Sequence, residues 1–131
     1  MSVEALCTIC CKEKRTDKDF LPAIERYLSD RIAFVHQESL RLGKPLLILS
    51  GKFGLLAPED PIPWYDRKLT LAAVPEMIVL VSEQLKQRAV TRLTFYGHPR
   101  TDPDWLPYHQ VLEQACHARN VQMDHHIITM E

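Results

Sequence analysis

The segment Pro45–Ser50 constrains the fold more than any other part of the chain. It reads PLLILS and is apolar at nearly every position. A half-exposed strand alternates polar and apolar residues, so this run indicates a strand covered on both faces, as in a parallel sheet. Val3–Cys10 and Arg92–Tyr96 indicate two further strands, and Val121–Thr129 indicates an edge strand with one wetter face.

Amphipathic segments separate the four predicted strands. Their apolar residues recur at helical spacing in three groups: Ile24, Leu28, Ile32 and Val35; Val74, Ile78, Val81 and Leu85; and Trp105, His109, Leu112 and Cys116. We expect the first helix to begin near Pro22 and to end at Gly43. Asp104 is expected to cap the third helix.

The order β-α-β-α-β-α-β follows from these segments. Helical crossovers of this length favour parallel pairing and right-handed connections. We therefore predict an α/β fold, a three-layer Rossmann-like or flavodoxin-like sandwich around a small, mostly parallel sheet of four strands. The length of 131 residues suits a single domain, residues 1–131, with one core.

Composition narrows the class of partner. The formal net charge is −1, so no global field attracts the chain to nucleic acid or to an anionic membrane. No apolar run approaches the roughly 18 residues that span a bilayer, and the first residues lack the features of a signal peptide. Three of the four cysteines crowd together near the start, which is poor spacing for disulfides and indicates reduced thiols. We expect a cytoplasmic protein with no membrane partner.

Polar and reactive residues follow the predicted strands. In an open parallel sheet the ligand binds beyond the carboxyl ends of the strands. The residues at those ends are Cys10, Cys11 and Lys12; Ser50, Gly51 and Lys52; Gly97, His98, Pro99 and Arg100; and Thr129 and Met130. The site is therefore expected at this edge of the sheet.

The turn Ser50–Gly54 is the first candidate for ligand binding. Gly51 and Gly54 allow a tight turn after a strand, with N–H groups that face an anion. Lys52 would add a charge and Ser50 a hydroxyl. The glycine spacing does not fit a Walker loop. A plain β-turn with an exposed lysine is the alternative, because short glycine turns are common.

A proline-rich segment continues this turn to Asp66. It carries too many apolar residues to be disordered, so we expect Pro58–Asp66 to form a rigid flap over the turn. Tyr65 would stack on a base of the ligand. Asp66 would act as an acid or base, or orient a ligand hydroxyl. An equally open alternative is that Asp66 caps the helix that follows Leu69.

Cysteine and histidine side chains supply the remaining candidates. Cys10 or Cys11, beside basic residues at a strand end, is expected to be a thiol with a lowered pKa. His98 is a candidate general base or phosphate contact, with a simple loop histidine as the alternative. Cys7-x-x-Cys10 resembles half a zinc site, but these two residues face opposite sides of a strand and the sequence has no second cysteine pair. We expect no metal and no cofactor.

Three segments together resemble a family of small bacterial and archaeal domains. The family pattern is Cys-Ser-x-x-Lys after the first strand, an Ala-x-x-x-Tyr-x-Ser helix, Leu-Ser-Ala-Lys-His/Tyr-Gly-Leu-Leu after the second strand, then Pro and Tyr-Asp. The matching residues are Cys10–Lys14; Ala23, Tyr27 and Ser29; Leu49–Leu56; Pro61 or Pro63; and Tyr65 and Asp66. Cys11 stands where the family has serine, and Phe53 where it has histidine or tyrosine. The region is also similar to the peroxide-stress protein YaaA family and to the core domain of archaeosine synthase. The resemblance implies the α/β fold, a site at these motifs and a link to modified nucleobases.

These observations predict a small protein that binds a nucleoside, nucleotide or modified nucleobase, and whose site carries groups able to modify it chemically. The candidate catalytic residues are Cys10, Lys52, Asp66 and His98. The candidate ligand-binding residues are Cys11, Lys12, Ser50, Gly51, Gly54 and Tyr65. A non-catalytic nucleic-acid-binding module with a basic rim is the alternative. A third hypothesis is a scaffold that forms homodimers through the edge strand at His125–Ile128.

Overall fold

The computed structural model describes residues 2–131. The main sheet has five strands: β1 (Val3–Ile9), β3 (Leu46–Ser50), β4 (Gly54–Leu56), β6 (Val90–Gly97) and β7 (Gln122–Ile127). Two short strands, β2 (Leu21–Pro22) and β5 (Pro61–Ile62), form a separate antiparallel sheet. The order across the main sheet is β4-β3-β1-β6-β7, which places β1 at the centre and β7 at an edge.

Helices join these strands. They are α1 (Ala23–Arg26), α2 (Asp30–Leu42), α3 (Val74–Gln87) and α4 (Leu106–Ala118), with a short 3-10 helix at Leu71–Ala73 before α3. Strands and helices alternate along much of the chain, so the fold is of the mixed α/β class. Across residues 2–131, no helix has the length and apolar character needed to cross a membrane.

The predicted Rossmann-like or flavodoxin-like sandwich is wrong in strand number, pairing and element order. β1, β3, β6 and β7 pair in parallel, but β4 adds a fifth strand that runs antiparallel to β3. The turn at residues 51–53 folds the chain directly back onto β3, and a hairpin of this kind needs no crossover helix. The predicted four-stranded sheet is therefore replaced by a five-stranded mixed sheet and a second, two-stranded sheet.

Helices cover both faces of the main sheet. Cys7 and Thr8 are neighbours on β1, so their side chains face opposite sides. The Thr8 hydroxyl accepts a hydrogen bond from Arg31 of α2. Cys7 is fully buried on the other side, where burial and the nearby Cys116 thiol of α4 raise its pKa. α3 packs against α4. Cys7 is thus a core residue.

The predicted first helix is two helices. Tyr27 ends α1 with an extended backbone (φ −83°, ψ 132°). Ser29 then caps α2, and its Oγ accepts a hydrogen bond from the Ile32 N–H at 3.1 Å. Leu28 lies in this break and is exposed instead of extending the apolar stripe. Gly43 ends α2 in the left-handed conformation (φ 65°), as predicted.

The segment predicted to form a flap, Pro58–Asp66, is held to the rest of the protein by a buried arginine. Arg26 is fully buried, and its guanidinium donates to the carbonyl oxygen of Ile62 at 3.1 Å. Its other acceptors are the carbonyl oxygens of Arg15, Lys18 and Asp19. One side chain therefore joins the loop after β1 to the segment after β4.

Candidate functional site

A cleft of about 650 Å³ opens at the carboxyl ends of β1 and β6. Five of the ten predicted site residues line it: Cys10, Cys11, Lys12, Asp66 and His98. The other five lie outside its lining: Lys52, Ser50, Gly51, Gly54 and Tyr65. The structure therefore brings together the residues that follow β1 and β6, while most of the turn after β3 lies elsewhere.

Arg31 of α2 places a positive charge at the wall of this cleft. Its side chain is almost entirely buried, with 3% of the residue exposed. Nη1 donates to Thr8 Oγ1 and to the Ile9 carbonyl oxygen, each at 2.7 Å, and Nη2 donates to the Cys10 carbonyl oxygen at 3.2 Å. A guanidinium has more N–H donors than these bonds use, and Nε has no acceptor. No carboxylate in residues 2–131 forms an ion pair with it.

Trp105 joins Arg31 to a histidine and carboxylate pair. The Arg31 guanidinium carbon lies 4.8 Å from the centre of the Trp105 ring, and the His98 ring stacks on it at 4.6 Å. His98 Nδ1 lies 3.0 Å from Asp102 Oδ2, and this bond holds the pKa of the Asp102 carboxyl below its usual range. The imidazole is therefore oriented by a stacking contact and by a carboxylate.

Cys10 presents its sulfur to a tyrosine. Cys10 Sγ lies 3.6 Å from the Tyr108 hydroxyl, which accepts a hydrogen bond from the Leu69 N–H at 3.2 Å. Burial is the main cause that raises the pKa of Tyr108, so the hydroxyl keeps its proton at neutral pH. The thiol thus lies at the cleft beside a neutral hydroxyl donor.

The predicted lowering of a thiol pKa is wrong for Cys11. Burial raises the pKa of this thiol to about 11, and this effect outweighs the charges of Arg31 and Lys14, which act in the opposite direction. The Cys11 Sγ donates to the Glu13 carbonyl oxygen at 3.0 Å. Basic neighbours in the sequence are therefore not enough to offset the loss of water around the sulfur.

Ser50 organises the turn after β3 from inside the protein. Its Oγ accepts hydrogen bonds from the N–H groups of Lys52 at 3.0 Å and Phe53 at 3.1 Å. The same hydroxyl donates to the Tyr65 hydroxyl at 2.8 Å, which is bonded in turn to the Tyr27 hydroxyl. The amide groups expected to face an anion thus have a partner within the turn itself.

Tyr65 lies within the core and not on an open face of the site. It is 4% exposed, and its ring packs edge-on against Phe53 at 5.2 Å and Tyr27 at 6.4 Å. Lys14 Nζ lies 4.7 Å from the centre of the Tyr65 ring. Stacking of this ring on a ligand base would therefore require these neighbours to move.

Both predicted glycines lie where the chain packs closely. Gly54 has φ +71°, and a Cβ there would lie 2.4 Å from Gln84 Oε1. That oxygen accepts a hydrogen bond from the Leu55 N–H at 2.7 Å. A Cβ on Gly51 would lie 2.8 Å from the backbone nitrogen of Leu69. Contacts within the protein explain why neither position carries a side chain.

Both signs of charge surround the cleft. Its lining side chains without an ion pair in residues 2–131 include, besides Arg31, three cations and two carboxylates: Lys12, Lys14, Arg67, Asp66 and Glu131. Lys68 pairs with Asp104, which was expected to cap α4. α4 begins at Leu106 without a side-chain cap, so that prediction is wrong. Among the unpaired side chains, Arg31 included, cations outnumber carboxylates by four to two.

The cleft is also lined by residues that the sequence did not indicate as part of a site, among them Arg31, Trp105 and Tyr108. Arg31 carries a signal, since it shares the buried face of α2 with Val35 and Ser39. Arginine is almost never buried without a partner, so its place in an apolar stripe points to a special role. Trp105 and Tyr108 carry no such signal, because aromatic residues near an amphipathic helix are typical of a core.

No protein-family model, curated protein or solved structure matches this chain. The family resemblance drawn from the sequence motifs therefore remains a prediction. Within the part of the chain that the structure describes, no three His, Cys, Asp or Glu side chains come together as a metal ion would require. The chemistry of the cleft must be inferred from its own geometry.

Acid is expected to destabilise the protein through His109, which supports the loop that carries His98. His109 is 1% exposed, and its Nε2 donates to the His98 carbonyl oxygen at 2.9 Å. Burial lowers the pKa of His109, and the other ionisable groups that face it are His125, Glu113 and Arg100. An unfolded histidine titrates near about pH 6.5. The unfolded chain therefore binds more protons below this pH, and stability falls as the pH drops through it.

Urea denaturation between about pH 7.5 and about pH 5.5 measures this effect, and His109 contributes a slope of at most about 1.4 kcal/mol per pH unit. His109→Gln keeps an N–H donor, removes the titration and is expected to flatten the slope. His117→Gln, at an exposed position of the same helix, serves as the control and should leave the slope unchanged. A wild-type slope in His109→Gln would contradict the assignment.

Proposed function

We propose that the cleft binds a small anionic ligand of the nucleotide class, and that Asp66 and His98 handle protons in its chemical modification. The observation that carries the proposal is the buried Arg31 guanidinium at the cleft wall, whose Nη2 has one N–H beyond its bond to Cys10 and which has no carboxylate ion-pair partner in residues 2–131. Arginine suits a phosphate because its planar fork of donors matches the oxyanion geometry. The anionic group of the ligand is therefore assigned to Arg31.

The cost of burying Arg31 supports a ligand of opposite charge. Moving a cation out of water costs several kcal/mol, and burial accordingly lowers the pKa of this guanidinium. The hydroxyl and carbonyl oxygens around it offset only part of that cost, because they are neutral. A phosphate oxyanion would form charge-assisted hydrogen bonds, which are about twice as strong as neutral ones. The free-energy cost of burying the cation in the free protein would therefore be offset when the anionic ligand binds.

Asp66 and His98 are the proton-handling groups in this proposal. Both line the cleft with Arg31, and Asp102 fixes the orientation of the His98 imidazole. A general acid or base must lie within hydrogen-bond reach of the reacting group. His98 Nε2 lies 3.3 Å from the Met130 carbonyl oxygen, so the ligand would take the place of that contact. Trp105 and Tyr65 are buried residues, 6% and 4% exposed. The base is therefore expected to be recognised by polar contacts and not by stacking on these rings.

Isothermal titration calorimetry tests the proposal. The panel contains inorganic phosphate, nucleosides, the matching nucleoside monophosphates and deazaguanine bases. We expect the monophosphates to bind at least about tenfold more tightly than the nucleosides, because hydrogen bonds to charged groups contribute about 1.5–3 kcal/mol. No binding by any of these compounds to a folded protein would contradict the proposal.

Two variants separate Arg31 from the general charge of the cleft. Arg31→Lys keeps the charge but loses the planar fork, and Arg31→Met removes the charge as well. Monophosphate affinity is expected to fall in the first and further in the second, with circular dichroism as the check of folding. Arg41→Met removes an exposed arginine of the same helix and is expected to bind normally. Equal losses for nucleosides and monophosphates would contradict the assignment of Arg31 to the anion.

The nucleic-acid-binding alternative finds some support in Lys12, Lys14 and Arg67, which line the cleft without ion pairs in residues 2–131. Asp66 and Glu131 line the same cleft, and they weaken a phosphate-contacting rim. Binding of single-stranded oligonucleotides at rising salt distinguishes the two functions. A steep, linear fall of log K with log salt would favour the alternative. Tight binding of monophosphates with no oligonucleotide binding would exclude it.

A further inference from the structure

We propose that the Cys10 thiol is a nucleophile that works together with Arg31, and that the site takes an anionic electrophile whose reacting carbon lies within a few bonds of its anionic group. The inference rests on the proposed function for the anion subsite, and it adds the chemistry and size of the ligand. It is carried by two contacts to one residue. Arg31 Nη2 bonds the carbonyl oxygen of Cys10 at 3.2 Å, and the Tyr108 hydroxyl lies 3.6 Å from its sulfur.

The spacing within Cys10 limits the ligand. Arg31 Nη2 bonds the backbone carbonyl oxygen of Cys10, and the nucleophilic sulfur lies at the other end of the same residue. An anion bound to Arg31 would therefore hold a neighbouring carbon close to Cys10 Sγ. A long ligand with its reactive carbon far from the anion would not fit both contacts. Holding both reactants in place lowers the entropic barrier to bond formation.

Tyr108 is the positioning residue for this thiol. Its hydroxyl has one proton to give, and it already accepts the Leu69 N–H at 3.2 Å. The hydroxyl proton is consequently free to point toward Cys10 Sγ. A hydrogen bond of this kind stabilises the thiolate, which is the reactive form of cysteine. Tyr108 therefore promotes reaction at neutral pH without contacting the reacting carbon.

The other cysteines serve as internal controls. Cys7 and Cys116 are 0% and 2% exposed, and burial is the main cause that raises the pKa of both. Cys11 is more accessible but has a pKa of about 11. None of these three thiols is hydrogen-bonded to a tyrosine hydroxyl, as the Cys10 thiol is to Tyr108. Any labelling that favours Cys10 over Cys11 must therefore come from the local environment of Cys10 and not from exposure alone.

Alkylation with two matched reagents tests the proposal. Iodoacetate carries the anion that Arg31 would bind, whereas iodoacetamide is neutral and similar in size. In both reactions a bond forms between Cys10 Sγ and the CH₂ carbon, the carbon–iodine bond breaks, iodide leaves, and the thiol proton passes to water. Peptide mass spectrometry gives the alkylation rate of each cysteine with each reagent. The same protein unfolded in urea gives the intrinsic ratio of the iodoacetate rate to the iodoacetamide rate.

We expect Cys10 to be alkylated before the other cysteines. The ratio of its iodoacetate rate to its iodoacetamide rate should exceed the ratio in the unfolded protein by on the order of tenfold. A focused positive field raises the local concentration of an anion by about that factor or more. Inorganic phosphate should slow the alkylation of Cys10 by iodoacetate more than its alkylation by iodoacetamide. Tyr108→Phe should slow Cys10 by about threefold near neutral pH and move its pH–rate profile to higher pH. Arg31→Lys should reduce the preference.

Three results would overturn the inference: Cys11 labelling before Cys10, no iodoacetate preference at Cys10, or no protection by phosphate. The phosphate experiment uses the wild-type protein, so it stands even if the Arg31 variant does not fold. Calorimetric binding of monophosphates without an iodoacetate preference overturns the inference and leaves the proposed function intact. An iodoacetate preference without monophosphate binding retains the thiol and anion pair but removes the nucleotide class.

Discussion

Replacing Arg26 with methionine is expected to lower the free energy of unfolding by about 3–5 kcal/mol. The guanidinium is fully buried and donates to the carbonyl oxygens of Arg15, Lys18, Asp19 and Ile62, at distances from 2.6 to 3.3 Å. Methionine fills a similar volume but has no donor, so the buried Ile62 carbonyl oxygen and three part-buried carbonyl oxygens would lose this partner. Urea denaturation measures the loss.

Two opposing effects decide the sign of the change at Arg26. Removing the charge recovers its desolvation cost, while the unpaired carbonyl oxygens each cost about 1–3 kcal/mol. We expect the loss at the carbonyl oxygens to dominate because several acceptors depend on one side chain. Arg41→Met is the matched control, since Arg41 pairs with Glu38 in solvent and its loss should change little. A variant of Arg26 as stable as wild type would show that the recovered desolvation cost outweighs the lost hydrogen bonds.

The sequence predicted the parallel strands better than the hairpin. A continuous apolar run marked β3, because a strand covered on both faces has no polar alternation, and short β-branched or aromatic segments indicated β1 and β6. β4 was missed since Gly54–Leu56 is only three residues long and follows a turn, so its letters fit a flap equally well. A short edge strand is defined by its partner and not by its own pattern, and the partner is visible only in the fold.

The break between α1 and α2 shows a related limit. Ile24, Leu28, Ile32 and Val35 follow helical spacing, yet Ser29 caps a new helix within that stripe. The cap competes locally with helix propagation, because its hydroxyl satisfies an N–H that would otherwise need a preceding turn. The helical spacing of apolar residues does not show whether the helix continues through Ser29 or ends before it.

Strand-end topology placed part of the candidate site correctly in space. Cys10 and His98 line one cleft, since the chain segments that follow parallel strands meet at one edge of the sheet. Asp66 lines the same cleft although it follows β5 of the second sheet. Lys52 lies outside its lining, in a hairpin turn whose N–H groups bond to Ser50 Oγ, and the sequence did not reveal this hairpin. Arg31 and Tyr108 come from helices, and the depth of a helical side chain beneath a cleft depends on packing that no local pattern encodes.

Gly51→Ala is expected to destabilise the protein by about 1–3 kcal/mol and to disturb the Cys10 environment at the same time. A Cβ at this position would lie 2.7 Å from the Arg67 carbonyl oxygen, 2.8 Å from the Leu69 nitrogen and 3.2 Å from the Tyr108 hydroxyl. The first two are backbone atoms, which cannot swing aside as a flexible side chain does. Relief of the clash must therefore move the segment whose N–H holds the Tyr108 hydroxyl.

Gly43→Ala separates this clash from the general effect of replacing glycine. Gly43 has φ +65°, and a methyl group added there would have no neighbouring atom within 4 Å, so alanine meets only backbone strain. Urea denaturation and Cys10 alkylation are measured on both variants. We expect both to lose stability, but only Gly51→Ala to slow Cys10, because its added carbon displaces Leu69 and Tyr108. Unchanged Cys10 reactivity in a destabilised Gly51→Ala would mean that the clash is relieved elsewhere, and Tyr108 would then not depend on this turn for its position.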